Sequence, residues 1–112
     1  MVEVSIIVCA FNEELRIKAC LNSIKPQIIN NFSYEILIID NEASDNTEKI
    51  CNDFVEENKL CINIKYMRIQ HVPLSESRNV GILNTVGDKI IFIDADALAD
   101  ENWLSEILSG FD

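Results

Sequence analysis

The sequence predicts an α/β fold, a Rossmann-like parallel sheet with helices on both faces, on three observations. Runs rich in Val and Ile alternate with amphipathic runs along the whole chain. No stretch is repeated or of low complexity. The last apolar run, Lys89-Ile90-Ile91-Phe92-Ile93, ends in Asp94-Ala95-Asp96, two carboxylates at a strand's C-terminal tip. Strand and helix in this rhythm imply right-handed crossovers and a sheet covered on both sides. The 112 residues are the usual span of one domain with one packed core, so 1–112 is read as a single domain.

Glu3 to Cys9 is the first strand, continuously apolar as a strand buried on both faces should be. Glu13 to about Lys25 follows as a helix with Leu15, Ala19, Leu21 and Ile24 on one stripe, closed by Pro26. Tyr34 to Ile39 is the second strand. Asp45, with Glu48 three residues on, resembles a capping box that opens a helix with Ile50, Cys51, Phe54 and Val55 inward. Leu60 to about Ile69 is the third strand. A helix over Ser75 to Val86, started by Ser75 or Ser77 and stopped at Gly87, leads into the fourth strand, and Asp100 caps a last helix carrying Trp103, Leu104, Ile107 and Leu108.

Ligands of such sheets bind outside the C-terminal ends of the strands, near the point where strand order reverses. That rule gathers Phe11-Asn12-Glu13 after strand one, Asp40-Asn41 after strand two and Asp94-Ala95-Asp96 after strand four. With strand order 3-2-1-4 the reversal lies between strands one and four, beside the acidic pair. In extended backbone, side chains two apart point the same way, and hard divalent ions such as Mg²⁺ or Mn²⁺ favour carboxylate oxygens while leaving places for a diphosphate. The pattern therefore points to an activated phosphate substrate.

Composition narrows the classes. Net charge is −10, from 19 acidic and 9 basic residues, which disfavours a nucleic-acid partner. No apolar run approaches the ~20 residues of a membrane span, and Met1-Val2-Glu3 places no basic region before the first apolar stretch, so the reading is a cytoplasmic segment, any membrane association being supplied by parts outside it. Cys9, Cys20, Cys51 and Cys61 lack CxxC spacing and sit inside apolar patterns, as buried thiols of a reducing compartment do.

Val4-Ser5-Ile6-Ile7-Val8-Cys9-Ala10-Phe11-Asn12-Glu13-Glu14 resembles the opening of family 2 glycosyltransferases of the GT-A fold. Glu35 to Thr47 resembles their second-strand motif, Ser77-Arg78-Asn79-Val80-Gly81 their Ala-Arg-Asn-x-Gly element, and Asp94-Ala95-Asp96 their DxD. The resemblance implies a nucleotide-sugar site in which Cys9 and Phe11 flank the base, Glu13 lies near the ribose, Asp40 or Asn41 reads the base edge, and Arg78 lies near the nucleotide or braces its loop. Asp94 and Ala95 would contact ribose and diphosphate, and Asp96, with Asp94, would hold Mn²⁺ or Mg²⁺. Asn41 stands where many relatives have a second aspartate, so a UDP- or a GDP-linked donor is compatible with the motif.

By the same resemblance the reaction is transfer of the sugar to an acceptor hydroxyl with inversion. The general base and the acceptor pocket of relatives lie in a later half. The chain is therefore expected to be the donor-binding half, cut short after the DxD, with no assigned catalytic base and an open edge on the fourth strand that pairs with a second copy. Two readings from other classes stand beside it: a nucleotide-sugar-binding module without catalysis, and a receiver-like signalling domain, which would need an acidic pair after strand one. His71 is read as a loop residue and Trp103 as packing for the last helix.

Overall fold

The computed structural model describes residues 1–111. Its sheet is all parallel, in the order β3-β2-β1-β4, the order expected from the sequence. The strands are β1 (Val4–Ala10), β2 (Tyr34–Asp40), β3 (Asn63–Arg68) and β4 (Lys89–Asp94), joined by α1 (Ile17–Ile28), α2 (Thr47–Asn58) and α3 (Leu74–Leu83) and followed by α4 (Trp103–Ser109).

The two-residue period of the strands sorts their side chains onto two layers. Val4, Ile6, Val8, Ile36 and Ile38 pack with Ile17, Cys20, Leu21, Ile24 and Ile28 of α1, Cys51 and Phe54 of α2 and Leu104 of α4. Ile7, Leu37 and Ile39 face the other way, against Val80 of α3 with Met67, Ile69 and Ile90. Helices thus cover both faces, three on one and one on the other. The central strands are buried on both sides, whereas β4 is an edge strand with Phe92 partly in solvent, not the doubly buried strand its apolar run suggests.

Several element ends differ from expectation. The helix α1 begins at Ile17 because residues 14–16 form a turn on the Glu13 carbonyl, which accepts the N–H groups of Arg16 and Ile17. The buried stripe is consequently Ile17, Cys20, Leu21, Ile24 and Ile28, with Leu15 and Ala19 in solvent. Pro26 lies inside the last turns instead of ending the helix; the carbonyl it leaves unpaired belongs to Asn22, a residue exposed to water, which can serve in its place. The α2 capping box does not form: the cap position is Asn46, with no side-chain bond to the helix, Asp45 Oδ1 accepts from Thr47 N and Oγ1, at 2.9 and 2.6 Å, and the Glu48 carboxylate turns toward Arg68, 4.0 Å away. Leu60 is exposed, and β3 begins at Asn63. The helix α3 starts after Pro73, not at Ser75 or Ser77, and ends at Leu83, short of Gly87.

Gly87 serves a different purpose. Its N–H donates to Ser5 Oγ at 2.8 Å, and a Cβ there would fall 2.7 Å from the Ser5 backbone nitrogen. Ser5 Oγ in turn donates to the buried Glu35 carboxylate opposite it, at 2.6 Å, which also accepts the Val86 N–H and pairs with Lys65. Burial raises the Glu35 pKa, but the bonds from Ser5, Val86 and Lys65 together outweigh it and hold the carboxyl below the usual glutamate range. This cluster closes the sheet at the end away from the acidic pair.

The four cysteines are free thiols. Burial, reinforced by nearby acids, pushes Cys20 and Cys51 up to about 12, so they behave as small apolar groups. Among the described residues no helix is long and apolar enough to cross a membrane.

Glu42, in the turn after β2, has φ 59°, a conformation that costs a side-chain-bearing residue about 1 kcal/mol or more and glycine little. Glu42→Gly is expected to raise stability by about 1 kcal/mol, read as a higher urea midpoint with an unchanged slope.

Candidate nucleotide-sugar site

The C-terminal ends of β1, β2 and β4 open onto a cleft of about 410 Å³, walled on the far side by the segment that leads into α3. Cys9, Phe11, Glu13, Asn41, Asp94, Ala95 and Asp96, each singled out from the sequence, line it together. A second concavity, of about 490 Å³, lies between α1 and α4, away from the C-terminal ends of the strands, and carries Glu101 as the one charged residue among those lining it. Sheets of this kind bind ligands at the strand ends, which favours the first.

Two sequence-predicted residues lie outside the lining. Asp40 ends β2 on the layer facing α2 and is fully buried. Its Oδ1 accepts the Ala43 N–H at 2.9 Å, and its Oδ2 accepts from the Tyr66 hydroxyl and from Arg68 Nη1 at 3.0 Å. Burial, and then the bond to Asp40, raises the Tyr66 pKa, so the phenol keeps its proton and stays a donor. Arg78 stands beside the cleft on α3, 3.5 Å from Asp94 and with its guanidinium carbon 5.6 Å from the Phe92 ring centroid; its buried Nε has no protein partner among the described residues.

The floor of the cleft is set by two loops tied together. Glu13 N–H donates to Thr47 Oγ1 at 2.9 Å and Glu14 N–H to Asp45 Oδ2 at 3.2 Å, while Ser44 N–H donates to Asn12 Oδ1 at 2.8 Å and Asn46 N–H to Glu14 Oε2 at 3.0 Å. Burial raises the Asp45 pKa, but the hydrogen bonds from Thr47 and Glu14 outweigh it and hold the carboxyl below the usual range. Phe11 and Glu13 are thereby fixed at the rim.

The acidic pair does not share one pleat. Asp94 ends β4, and Asp96 sits in a turn closed by the Ala97 N–H on the Asp94 carbonyl at 2.9 Å, yet both line the cleft. Each faces an arginine: Asp94 faces Arg78, and Asp96 faces Arg16 at 3.8 Å, which also approaches Glu13 at 3.9 Å. These carboxylates are 69% and 49% exposed, so the pairs are worth about 0 to 1 kcal/mol and yield readily to a stronger partner. Among the described residues no three His, Cys, Asp or Glu side chains converge on one point. Asp94 and Asp96 are hard oxygen donors open to the cleft, and they fit a divalent ion whose remaining ligands come from a substrate and water.

The cleft also holds residues that the strand-end reading left out: His71, Val72, Pro73, Leu74 and Ser77. Applying the same rule to the end of β3 would have pointed to His71, since that segment follows the strand. Ser77 is buried behind the wall, and Cys9 is half-buried next to it, its thiol raised by burial.

The sequence profile described as Glycosyl transferase family 2 matches residues 5–112. The chain belongs to glycosyl transferase family 2. Among its family relatives, the minor teichoic acid biosynthesis protein GgaB of Bacillus subtilis is 30% identical over 108 residues, 96% of this chain and 12% of that protein. Glycosyltransferase AglE of Haloferax volcanii is 29% identical over 112 residues, 95% of this chain and 34% of that one. S. aureus TarS 1-349, solved in complex with UDP-GlcNAc, superposes with a TM-score of 0.77 at 25% identity, over 96% of this chain and 30% of that fragment. A Pyrobaculum calidifontis mannosyltransferase solved with GDP-Man and Mn²⁺ shares the fold, at 20% identity and a TM-score of 0.76, over 86% of this chain and 28% of its own. The family 2 domain described here spans about a third or less of the length of the relatives it matches.

Proposed function

We propose that this domain binds a nucleotide-diphosphate sugar in the cleft at the strand ends and serves as the donor half of an inverting transferase that passes the sugar to an acceptor hydroxyl. One observation carries the reading: seven residues drawn from the ends of three strands, Cys9, Phe11, Glu13, Asn41, Asp94, Ala95 and Asp96, line one cleft. The likeness to TarS, a structure with UDP-GlcNAc bound, supports a nucleotide-sugar ligand. The four free cysteines support a cytoplasmic setting.

In this reading the nucleoside lies against Phe11 and the diphosphate runs toward the acidic turn. Asp96 and Asp94 would hold Mn²⁺ or Mg²⁺, which when bound offsets the charge that grows on the departing diphosphate. Arg78 and Arg16, released from their carboxylates, are free to meet phosphate oxygens. Glu13 stands at the ribose side, and Asp40 acts from behind, holding the end of β2 against Tyr66 and Arg68. No residue of the chain is assigned as the base that takes the acceptor's proton.

Calorimetric titration of the folded domain with UDP and with GDP, each with and without Mn²⁺, tests the proposal. Saturable binding of at least one nucleotide, strengthened by the metal, is expected. A folded sample that binds neither with metal present would sink it.

A further inference from the structure

Asp40, the last residue of β2, and Asn41 after it both commit their side chains to protein partners. Asp40 is turned to the other layer, and the Asn41 amide is occupied twice: Nδ2 donates to the Val72 carbonyl at 2.7 Å and Oδ1 accepts the Val72 N–H at 2.9 Å. This reciprocal pair pins Val72 and sets the preceding residue, His71, against Phe11, with ring centroids 4.8 Å apart and planes inclined by 49°. Both rings line the cleft.

The imidazole's protonation pattern follows from its neighbour. Nδ1 lies 3.2 Å from the Asn41 backbone carbonyl, which can only accept, so Nδ1 carries the proton. In the neutral ring Nε2 is then an acceptor, and among the described residues no protein donor meets it.

We propose that His71 selects the base, resting on the nucleotide-binding reading above. With Phe11 it forms an aromatic seat, and its Nε2 accepts the ring N–H of an oxo-base: N3–H of uracil or N1–H of guanine. Cytosine and adenine present a bare ring nitrogen at the corresponding edge, an acceptor facing an acceptor, and are disfavoured. Asn41 is a positioning residue that holds the loop carrying His71.

The test is calorimetric titration with UDP and CDP in Mn²⁺, with GDP and ADP as the purine pair. The proteins are wild type and His71→Phe, which keeps a ring against Phe11 and removes Nε2; His71 is exposed, and circular dichroism checks that the variant folds. Wild type is expected to favour the oxo-base by about tenfold, the worth of one hydrogen bond kept against one lost, and His71→Phe to bind both members of a pair within about threefold. A preference that survives in His71→Phe, or that is absent from wild type, overturns the role of His71 while leaving nucleotide binding intact. Failure of folded wild type to bind any nucleotide overturns both.

Discussion

Asp96→Ala is expected to lower the affinity for the preferred nucleoside diphosphate in Mn²⁺ by about a hundredfold while leaving metal-free binding and folding stability nearly unchanged. The reason for the split is the position of Asp96: half in solvent, in a turn closed by backbone alone, and paired only with an exposed arginine 3.8 Å away. Removing a carboxylate from such a place costs the fold less than about 0.5 kcal/mol. It does remove a hard oxygen that a divalent ion would need, and with two carboxylates at the turn the loss of one leaves a single protein ligand. Titrations with and without metal, run beside a urea melt, check both halves. A metal increment that persists in the variant would mean that the ion, if any, binds elsewhere.

The second large effect has the opposite character. Asp40→Ala is expected to cost about 3 kcal/mol of folding free energy, since it strips partners from a half-buried phenol, from a guanidinium and from the Ala43 N–H together. Arg68 is 34% exposed and can turn toward water, which keeps the cost below that of a fully buried pair. At a temperature where the variant remains folded, the affinity per folded molecule should fall by no more than about threefold, because the carboxylate faces α2 and not the cleft. Denaturation curves and calorimetry on the same sample separate the two. A variant that is stable but fails to bind would restore Asp40 to the ligand.

The contrast between these aspartates shows what could be read from the chain and what could not. The strand order was legible because apolar runs alternate with amphipathic ones and right-handed crossovers leave few arrangements. The gathering of Phe11, Glu13, Asn41 and the acidic turn into one cleft follows from the same rule. Which of Asp40 and Asn41 faces the cleft was not legible, since β2 is buried on both sides and Ile36, Leu37, Ile38 and Ile39 give no polar face to set its phase. The start of α1 was missed because the N–H groups of Glu13 and Glu14, which look like a helix's first turn, are claimed by Thr47 and Asp45 from a distant loop. His71 had no periodic pattern around it, and its place depends on an amide 30 residues away.

The bonds between the loops after β1 and β2 make the two jaws of the cleft unequal. The jaw bearing Phe11 and Glu13 is an anvil, already seated on α2 through Thr47 and Asp45 before any ligand arrives. Adjustment to ligands of different size is then expected of the opposing jaw, the Pro73–Leu74 approach and the Asp96 turn. Amide hydrogen exchange near the cleft should accordingly run slow at Glu13 and Thr47 and fast at Leu74 and Asp96, with ligand protecting mainly the fast pair.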